Sequence, residues 1–336
     1  MTDLGFEEDL VGMKREWLRR LSGPWPVLCL VFVAACLFSP IRRGELVFLA
    51  PMNLTEIVRM VSVKGILAVG MTLVIITGGI DLSVGAILAF ASTQVAVLLM
   101  QPQWPAIPAI LATLMPGILF GVLAGVLITK GRIQPFVATL ALMIAVRGAA
   151  RLITGGPSQP IGYDASGADP AFAWIAYRFD LWLIPIPAQA VIFLIVVLVF
   201  HIILSKTSYG RNLYAIGGNQ EAARLAGINI TLTIIGTYAL SGMLSALAGV
   251  IQCAQLVQGN PATDGMAYEL DAIAAAVIGG TSLMGGVGRV IDTLAGALII
   301  GIIINILNMN NVDSNIQYVM KGCIIVVAVF LQRWRR

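Results

Sequence analysis

Long apolar runs separated by short polar stretches repeat from Pro24 almost to the C-terminus. A helix rises about 1.5 Å per residue and the bilayer core is about 30 Å thick, so about 20 mostly apolar residues cross it. The pattern predicts an all-α, polytopic membrane protein with about ten transmembrane helices, some of them short or broken. The ten runs, of which the eighth is the shortest, are 24–41, 54–77, 83–100, 106–129, 135–153, 187–204, 232–254, 269–283, 290–309 and 316–332.

The composition supports a membrane-embedded chain. Hydrophobic residues make up 58% of the 336 residues and charged residues only 11%, whereas about a quarter of the residues in soluble domains are charged. No cleavage site for a signal peptide follows the first apolar run, which is interpreted as an uncleaved span. The prediction is one transmembrane domain at 24–332, preceded by a cytoplasmic segment at 1–23.

Basic residues predict the orientation, because cytoplasmic loops retain lysine and arginine. With ten spans both termini lie on one side, and that side carries most of the basic residues, among them Lys130, Arg211 and the C-terminal arginines. Both termini and the connection 205–230 are therefore placed in the cytoplasm. The connection 154–185, rich in glycine and proline, then faces outward.

Two glycine-rich breaks interrupt the apolar pattern, at 77–83 (TGGIDLS) and at 278–286 (IGGTSLMGG). Adjacent glycines permit unusual backbone conformations, and Asp81 with Ser83 suits the start of a helix. Each break is either a tight turn or a broken helix that lines a polar cavity, where irregular backbone is tolerated at membrane depth. The candidate translocation-pathway residues on the second interpretation are Thr77, Gly78, Gly79, Asp81, Ser83, Asp271, Gly279, Gly280, Thr281 and Asn305.

Ionisable residues within the apolar runs have two interpretations. Asp271, near the start of the eighth run, suits either a proton relay or, as we prefer, the positive end of a helix dipole. Lys64 and Lys321 lie near predicted span ends, where long side chains can reach lipid headgroups. The chain has no P-loop sequence and no cluster of cysteine and histidine, so we predict no cofactor, no metal site and no enzymatic activity.

A short, well-capped helix is predicted in the longest cytoplasmic connection. Asn219 suits the N-cap, Glu221 the positive end, Arg224 the negative end, and Gly227 a left-handed stop. With the small residues Ala222 and Ala223 at its centre, such a helix suits docking into a groove on a soluble partner. A plain connecting helix would have the same spacing.

Three blocks, 70–85 (GMTLVIITGGIDLSVG), 210–228 and 268–288 (YELDAIAAAVIGGTSLMGGVG), resemble the permease subunits of ABC importers for ribose, xylose, galactose and related solutes. That family is related to branched-chain amino acid permeases. The resemblance covers the chain from about Asn53 to Gln332. It implies an ATP-driven importer subunit in the bacterial inner membrane that translocates a small polar solute, with a monosaccharide as the expected cargo.

The resemblance also implies partners: a second permease copy or close paralogue, a cytoplasmic ATPase with two nucleotide-binding modules, a periplasmic solute-binding protein and membrane lipid, but no nucleic acid. A secondary transporter or channel for a small polar solute is the alternative, which would not need the capped helix. The solute itself is not written in these blocks. The implied ATPase-coupling residues are Gly210, Arg211, Gly217, Gly218, Asn219, Glu221, Ala222, Ala223, Arg224 and Gly227.

Overall fold

A computed structural model of the chain describes residues 23–42, 44–101, 104–163, 168–181 and 184–334. The predicted segment 1–23 therefore lies almost wholly outside the described residues. Within the described ranges the backbone is mostly helical, as predicted, and forms twelve α-helices. They are α1 Pro24–Leu37, α2 Pro51–Ile76, α3 Val84–Met100, α4 Ala106–Thr129, α5 Pro135–Thr154, α6 Ala188–Lys206, α7 Ser208–Gly218, α8 Gln220–Leu225, α9 Ile230–Leu256, α10 Tyr268–Ile278, α11 Val290–Met309 and α12 Ser314–Trp334.

Among the described residues, six of these helices are long and apolar enough to cross a membrane by length and composition. They are α2, α4, α5, α6, α9 and α11, while α1 and α3 are shorter apolar helices. The chain is therefore a polytopic, predominantly helical membrane protein.

The eighth predicted run, the shortest of the ten, forms a helix of only half the length of a full span. Helix α10 has 11 residues and ends at Ile278, which gives a length of about 16 Å, roughly half of the bilayer core. The run ends early because Gly279 caps the helix and Gly280 has a φ of +91°, a left-handed conformation that favours glycine.

The fold is also not purely α. Short antiparallel strand pairs lie in the connections between helices: β1 Ile41–Arg42 with β2 Glu45–Leu46, β3 Gln159–Pro160 with β6 Gln258–Gly259, and β4 Arg178–Leu181 with β5 Ile184–Pro187. The connection 154–185 contains a 3₁₀ helix, Pro170–Ala176, which Asp169 caps by accepting a hydrogen bond from the Ala171 N–H. Strands of two to four residues are too short to be predicted from the pattern of apolar positions.

Helix α2 forms the centre of the core. In its most apolar 18-residue window 83% of the residues are buried, and α9, α10, α11 and α6 pack around it. Helix α4 packs on α9 through Gly117, Gly121 and Gly125, because a Cβ atom at Gly117 would lie 2.7 Å from the Gly242 carbonyl oxygen. The glycine face of α4 is therefore a packing seam.

The molecule has two distinct ends. Helix α2 starts beside the strand pairs β1–β2 and β4–β5, and the Thr55 hydroxyl donates to the Pro185 carbonyl oxygen there at 2.7 Å. We call this the hairpin end. At the other end of α2, the Ile76 carbonyl oxygen accepts a hydrogen bond from the Gly286 N–H at 2.9 Å. We call this the glycine end.

Candidate functional site

The first glycine break turns the chain at the glycine end without leaving its carboxylate free. Asp81 is 1% exposed and accepts hydrogen bonds from the Ser83 N–H at 3.0 Å and the Ser83 hydroxyl at 2.6 Å. A third bond, 2.9 Å long, comes from the Ser241 hydroxyl on α9. Asp81 therefore fastens the start of α3 to α9, and the Ser83 side chain donates to Asp81 instead of capping α3.

The second break meets the first. Beyond Gly280, the chain after α10 carries two more left-handed glycines, Gly285 at φ +85° and Gly286 at φ +72°. A Cβ atom at Gly285 would lie 3.1 Å from the Gly78 nitrogen. The Ile76 carbonyl oxygen, freed by the end of α2, accepts the Gly286 N–H. This one backbone hydrogen bond satisfies the carbonyl group at the end of α2 and an N–H group of the second break.

The predicted coupling stretch forms two helices, α7 and α8. The Thr207 hydroxyl oxygen caps α7 by accepting from the Gly210 N–H at 3.2 Å. The Asn219 side-chain oxygen caps α8 by accepting from the Ala222 N–H at 3.0 Å, and Gly227 has a φ of +80°. The predicted capped helix and its left-handed stop are confirmed, although its role stays a prediction.

Gly217 joins this stretch to both breaks. A Cβ atom there would overlap the Ile76 carbonyl oxygen and lie 2.5 Å from the Gly286 nitrogen. The Tyr214 hydroxyl also donates to the Gly288 carbonyl oxygen at 2.7 Å. We call the contact of Ile76, Gly217 and Gly286 the glycine junction. Only glycine at Gly217 permits this approach of three backbones.

Ala223, one of the predicted coupling residues, does not lie on the exposed face of α8. Ala223 is 3% exposed and packs in a cluster with Ile216, Ile234 and Tyr238. The spacing of a six-residue helix does not reveal which alanine faces inward. The exposed face of α8 instead carries Leu225, which is 88% exposed, with Glu221 paired to Arg224 at 3.4 Å. Leu225 was not among the predicted coupling residues, because it is neither a capping residue nor a charged partner of the helix dipole.

A cleft of about 540 Å³ opens at the glycine end. Thr77, Gly78 and Gly79 line it together with polar residues such as Arg132 and Gln220. The other pathway candidates do not line this cleft: Asp81 and Ser83 are buried beside it, and Gly279, Gly280 and Thr281 lie at the end of α10. Of the predicted pathway residues, only Thr77, Gly78 and Gly79 therefore line this cleft.

A second cleft, of about 300 Å³, lies towards the hairpin end. We call it the charged cleft, because four ionisable residues line it. These residues are Glu56, Arg59, Lys64 and Asp271. Its other polar lining groups are Gln252, Gln255 and Tyr268. Apart from Asp271, none of these residues was among the pathway candidates.

Asp271 does more than complement a helix dipole. Its carboxylate accepts from the Lys64 ammonium group at 2.6 Å and from the Lys321 ammonium group at 3.0 Å. The expectation that these two lysines reach lipid headgroups is therefore wrong. The sequence did contain a signal for this cleft, because the charged residues Glu56, Arg59 and Lys64 lie on one face of α2.

Asn305, also a pathway candidate, faces away from both clefts. Its side-chain amide donates to the Asn53 side-chain oxygen at 2.8 Å, and the Asn53 amide donates back at 3.2 Å. The Asn53 amide also donates to the Phe48 carbonyl oxygen at 2.9 Å. The Asn53–Asn305 pair therefore ties the start of α2 to α11.

A comparison with protein families matches residues 53–329 to the branched-chain amino acid transport system / permease component family. The chain belongs to this family. The match starts just after the beginning of α2 and includes both breaks, α7, α8 and the charged cleft. No solved structure matches the chain.

Curated relatives extend the similarity over most of the chain. The ribose import permease protein of Bacillus subtilis (strain 168) is 43% identical over 311 residues, covering 93% of this chain and 92% of the relative. The ribose import permease protein of Escherichia coli (strain K12) is 44% identical, covering 83% and 85%. The L-arabinose transport system permease protein of the same strain is 35% identical, covering 92% and 89%.

Proposed function

We propose that this chain is the membrane-spanning permease subunit of an ATP-driven ABC importer for a monosaccharide in the bacterial inner membrane. The supporting observation is its 43% identity to a ribose import permease across 93% of the chain. The sugars in the names of its relatives, ribose, arabinose and xylose, are all five-carbon sugars. A pentose is therefore the first solute to test.

The proposed topology has both termini in the cytoplasm and ten membrane segments, of which α10 is a half-length segment paired with the second break. The glycine end is cytoplasmic in this proposal, and the hairpin end is periplasmic. The basic residues Arg132, Arg211 and Arg224 support it, because they belong to connections or helices at the glycine end.

Single cysteines test this orientation in a background without the four native cysteines. The exposed Ala171 lies in the 3₁₀ helix of the hairpin end, and Glu221 lies on α8. In intact cells an impermeant thiol reagent should label Ala171→Cys and leave Glu221→Cys unlabelled. Labelling in the reverse order would invert the proposed topology.

The proposed partners are a second permease copy or close paralogue, an ATPase with two nucleotide-binding modules, and a periplasmic binding protein. The exposed face of α8, with Leu225 at its tip, is the proposed contact with the ATPase. The glycine junction links that helix through Gly217 to the end of α2. Displacement of α8 would therefore also displace α2, the central helix of the core.

Reconstitution in proteoliposomes tests the function. The permease, its ATPase and its binding protein should take up radiolabelled ribose, arabinose or xylose only when ATP is enclosed on the ATPase side. Omission of the ATPase is the matched control. Equal uptake without ATPase or ATP would instead support a secondary transporter or channel.

A further inference from the structure

Charged side chains follow one face of the central helix deep into the apolar core. Glu56, Arg59 and Lys64 occupy positions i, i+3 and i+8 of α2, and about 12 Å of helix separates the first from the last. Lys64 is the fourteenth of 26 residues in this helix. Charges at that depth are costly against lipid, so they face protein or a water-filled cavity.

These charges neutralise one another within the charged cleft. Arg59 pairs with Glu56 at 2.7 Å, and Lys64 pairs with Asp271 at 2.6 Å. The four side chains still expose between 8% and 34% of their surface. The lining therefore offers paired hydrogen-bonding groups to the cleft, with two acids balanced by two bases. Lys321 contacts Asp271 from the α12 side and does not line the cleft.

The remaining walls combine amide, aromatic and aliphatic groups. Gln252 and Gln255 lie one turn apart on α9, and the Tyr268 ring lies 4.8 Å from the Lys64 ammonium group. The facing wall comes from one apolar face of α11, at positions 297, 300, 301 and 304. A volume of about 300 Å³ lies at the lower end of the range of small-molecule sites, about 300–1,000 Å³.

We propose that the charged cleft is the site through which a neutral monosaccharide enters the permease, a proposal that rests on the proposed function above. A sugar ring has hydroxyl groups at its edge and C–H groups on its faces. The paired charges and the amides of Gln252 and Gln255 match the hydroxyl groups, while Tyr268 and the α11 face match the C–H groups. Both lining bases, Arg59 and Lys64, are already paired with acids, which favours a neutral sugar over an anionic one.

The position of the charged cleft agrees with delivery from outside. Its outer charge, Glu56, is bonded to Arg178 of the β4–β5 hairpin at 3.4 Å, and Gln255 lies one residue before the end of α9. The cleft therefore begins directly beneath the hairpin end and reaches inward to the Lys64–Asp271 pair. The glycine-end cleft lies on the opposite side of the core, beside α8.

Site-directed labelling of the reconstituted importer tests this site. Met60 lines the charged cleft, whereas Val58 is at nearly the same depth on α2 and does not line it. In the background without native cysteines, an impermeant thiol reagent added from the binding-protein side should modify Met60→Cys. Saturating ribose with its binding protein should slow that reaction at least threefold, and ribose 5-phosphate should not. The reaction of Val58→Cys should not respond to either.

Transport by charge variants gives a second measurement. Lys64→Met combined with Asp271→Asn should lower ATP-dependent ribose uptake at least tenfold while the importer still assembles, and Lys64→Arg should retain most of the uptake. Wild-type uptake in the double variant, together with unprotected Met60→Cys, overturns the site but leaves the importer function intact. Failure of the unmodified complex to show ATP-dependent uptake overturns the function itself.

Discussion

The glycine junction gives the sharpest prediction, through the neighbouring positions Gly217 and Gly218. A Cβ atom at Gly217 would overlap the Ile76 carbonyl oxygen and lie 2.5 Å from the Gly286 nitrogen. At Gly218 an added Cβ would find no atom within 4 Å. Gly217→Ala therefore places a methyl group in a filled site, whereas Gly218→Ala places it in open space.

The free-energy cost of Gly217→Ala follows from the backbone that must shift to accommodate the methyl group. Overpacking a tight site costs about 1–3 kcal/mol, and losing the hydrogen bond from Gly286 to Ile76 costs about 0.5–1.5 kcal/mol. Because a backbone shift would relieve part of both terms, we expect Gly217→Ala to cost about 1–3 kcal/mol. An energy of that size changes a conformational equilibrium roughly 5- to 150-fold. Gly218→Ala should stay within about 0.5 kcal/mol.

Two measurements separate local damage from lost coupling. Thermal unfolding of the purified permease should show a lower midpoint for Gly217→Ala than for Gly218→Ala. In proteoliposomes, Gly217→Ala should reduce the number of sugars imported per ATP hydrolysed, because the junction carries the displacement of α8 to α2.

Two results would refute this reasoning. If both alanine variants unfold alike and transport alike, the three backbones do not need their close approach. If Gly217→Ala lowers stability but keeps the wild-type ratio of sugar to ATP, the junction is structural and the coupling passes elsewhere.

Two further predictions concern the exposed ends. Leu225→Ala should weaken copurification of the ATPase without changing permease stability, whereas Ala223→Trp should destabilise the permease itself, because Ala223 is buried; equal ATPase copurification with Leu225→Ala and wild type would contradict the proposed docking face. At the hairpin end, hydrogen bonds from the N–H groups of Ala106 and Ala171 lower the pKa of Asp169 below 3.8. These contacts therefore persist above pH 3.8 and should be lost as the pH falls through the lowered pKa. In a variant that keeps Trp174 as its only tryptophan, the fluorescence should report this transition. Asp169→Asn in that variant should abolish it.

Apolar run length was sufficient to predict the long helices. The predicted runs 106–129 and 290–309 coincide with α4 and α11, since lipid demands continuous apolar sequence and backbone bonding within each segment. The same signal fails for α10, because the predicted run 269–283 extends five residues beyond Ile278, into the glycine-rich break at 278–286 where the helix has already ended.

The site was less predictable, because its contacts join positions far apart in sequence. Capping of α8 by Asn219 involves neighbours and was predicted from the sequence. The bond between Lys64 and Asp271 joins residues 207 positions apart, and spacing within one helix cannot reveal it. Arg147 is similar, since its guanidinium donates to the carbonyl oxygen of Asp264, 117 positions away, at 2.6 Å.

Helix α2 connects the two regions proposed to act in transport. Its last carbonyl group, at Ile76, belongs to the glycine junction, and Lys64, twelve residues earlier, lines the charged cleft about 18 Å away. A helix this buried moves as a unit, since its neighbours fill the space around it. Displacement at the junction would therefore alter the distance between Lys64 and Asp271 on α10. Because both perturbations act on one rigid element, the transport losses of Gly217→Ala and Lys64→Met should combine non-additively.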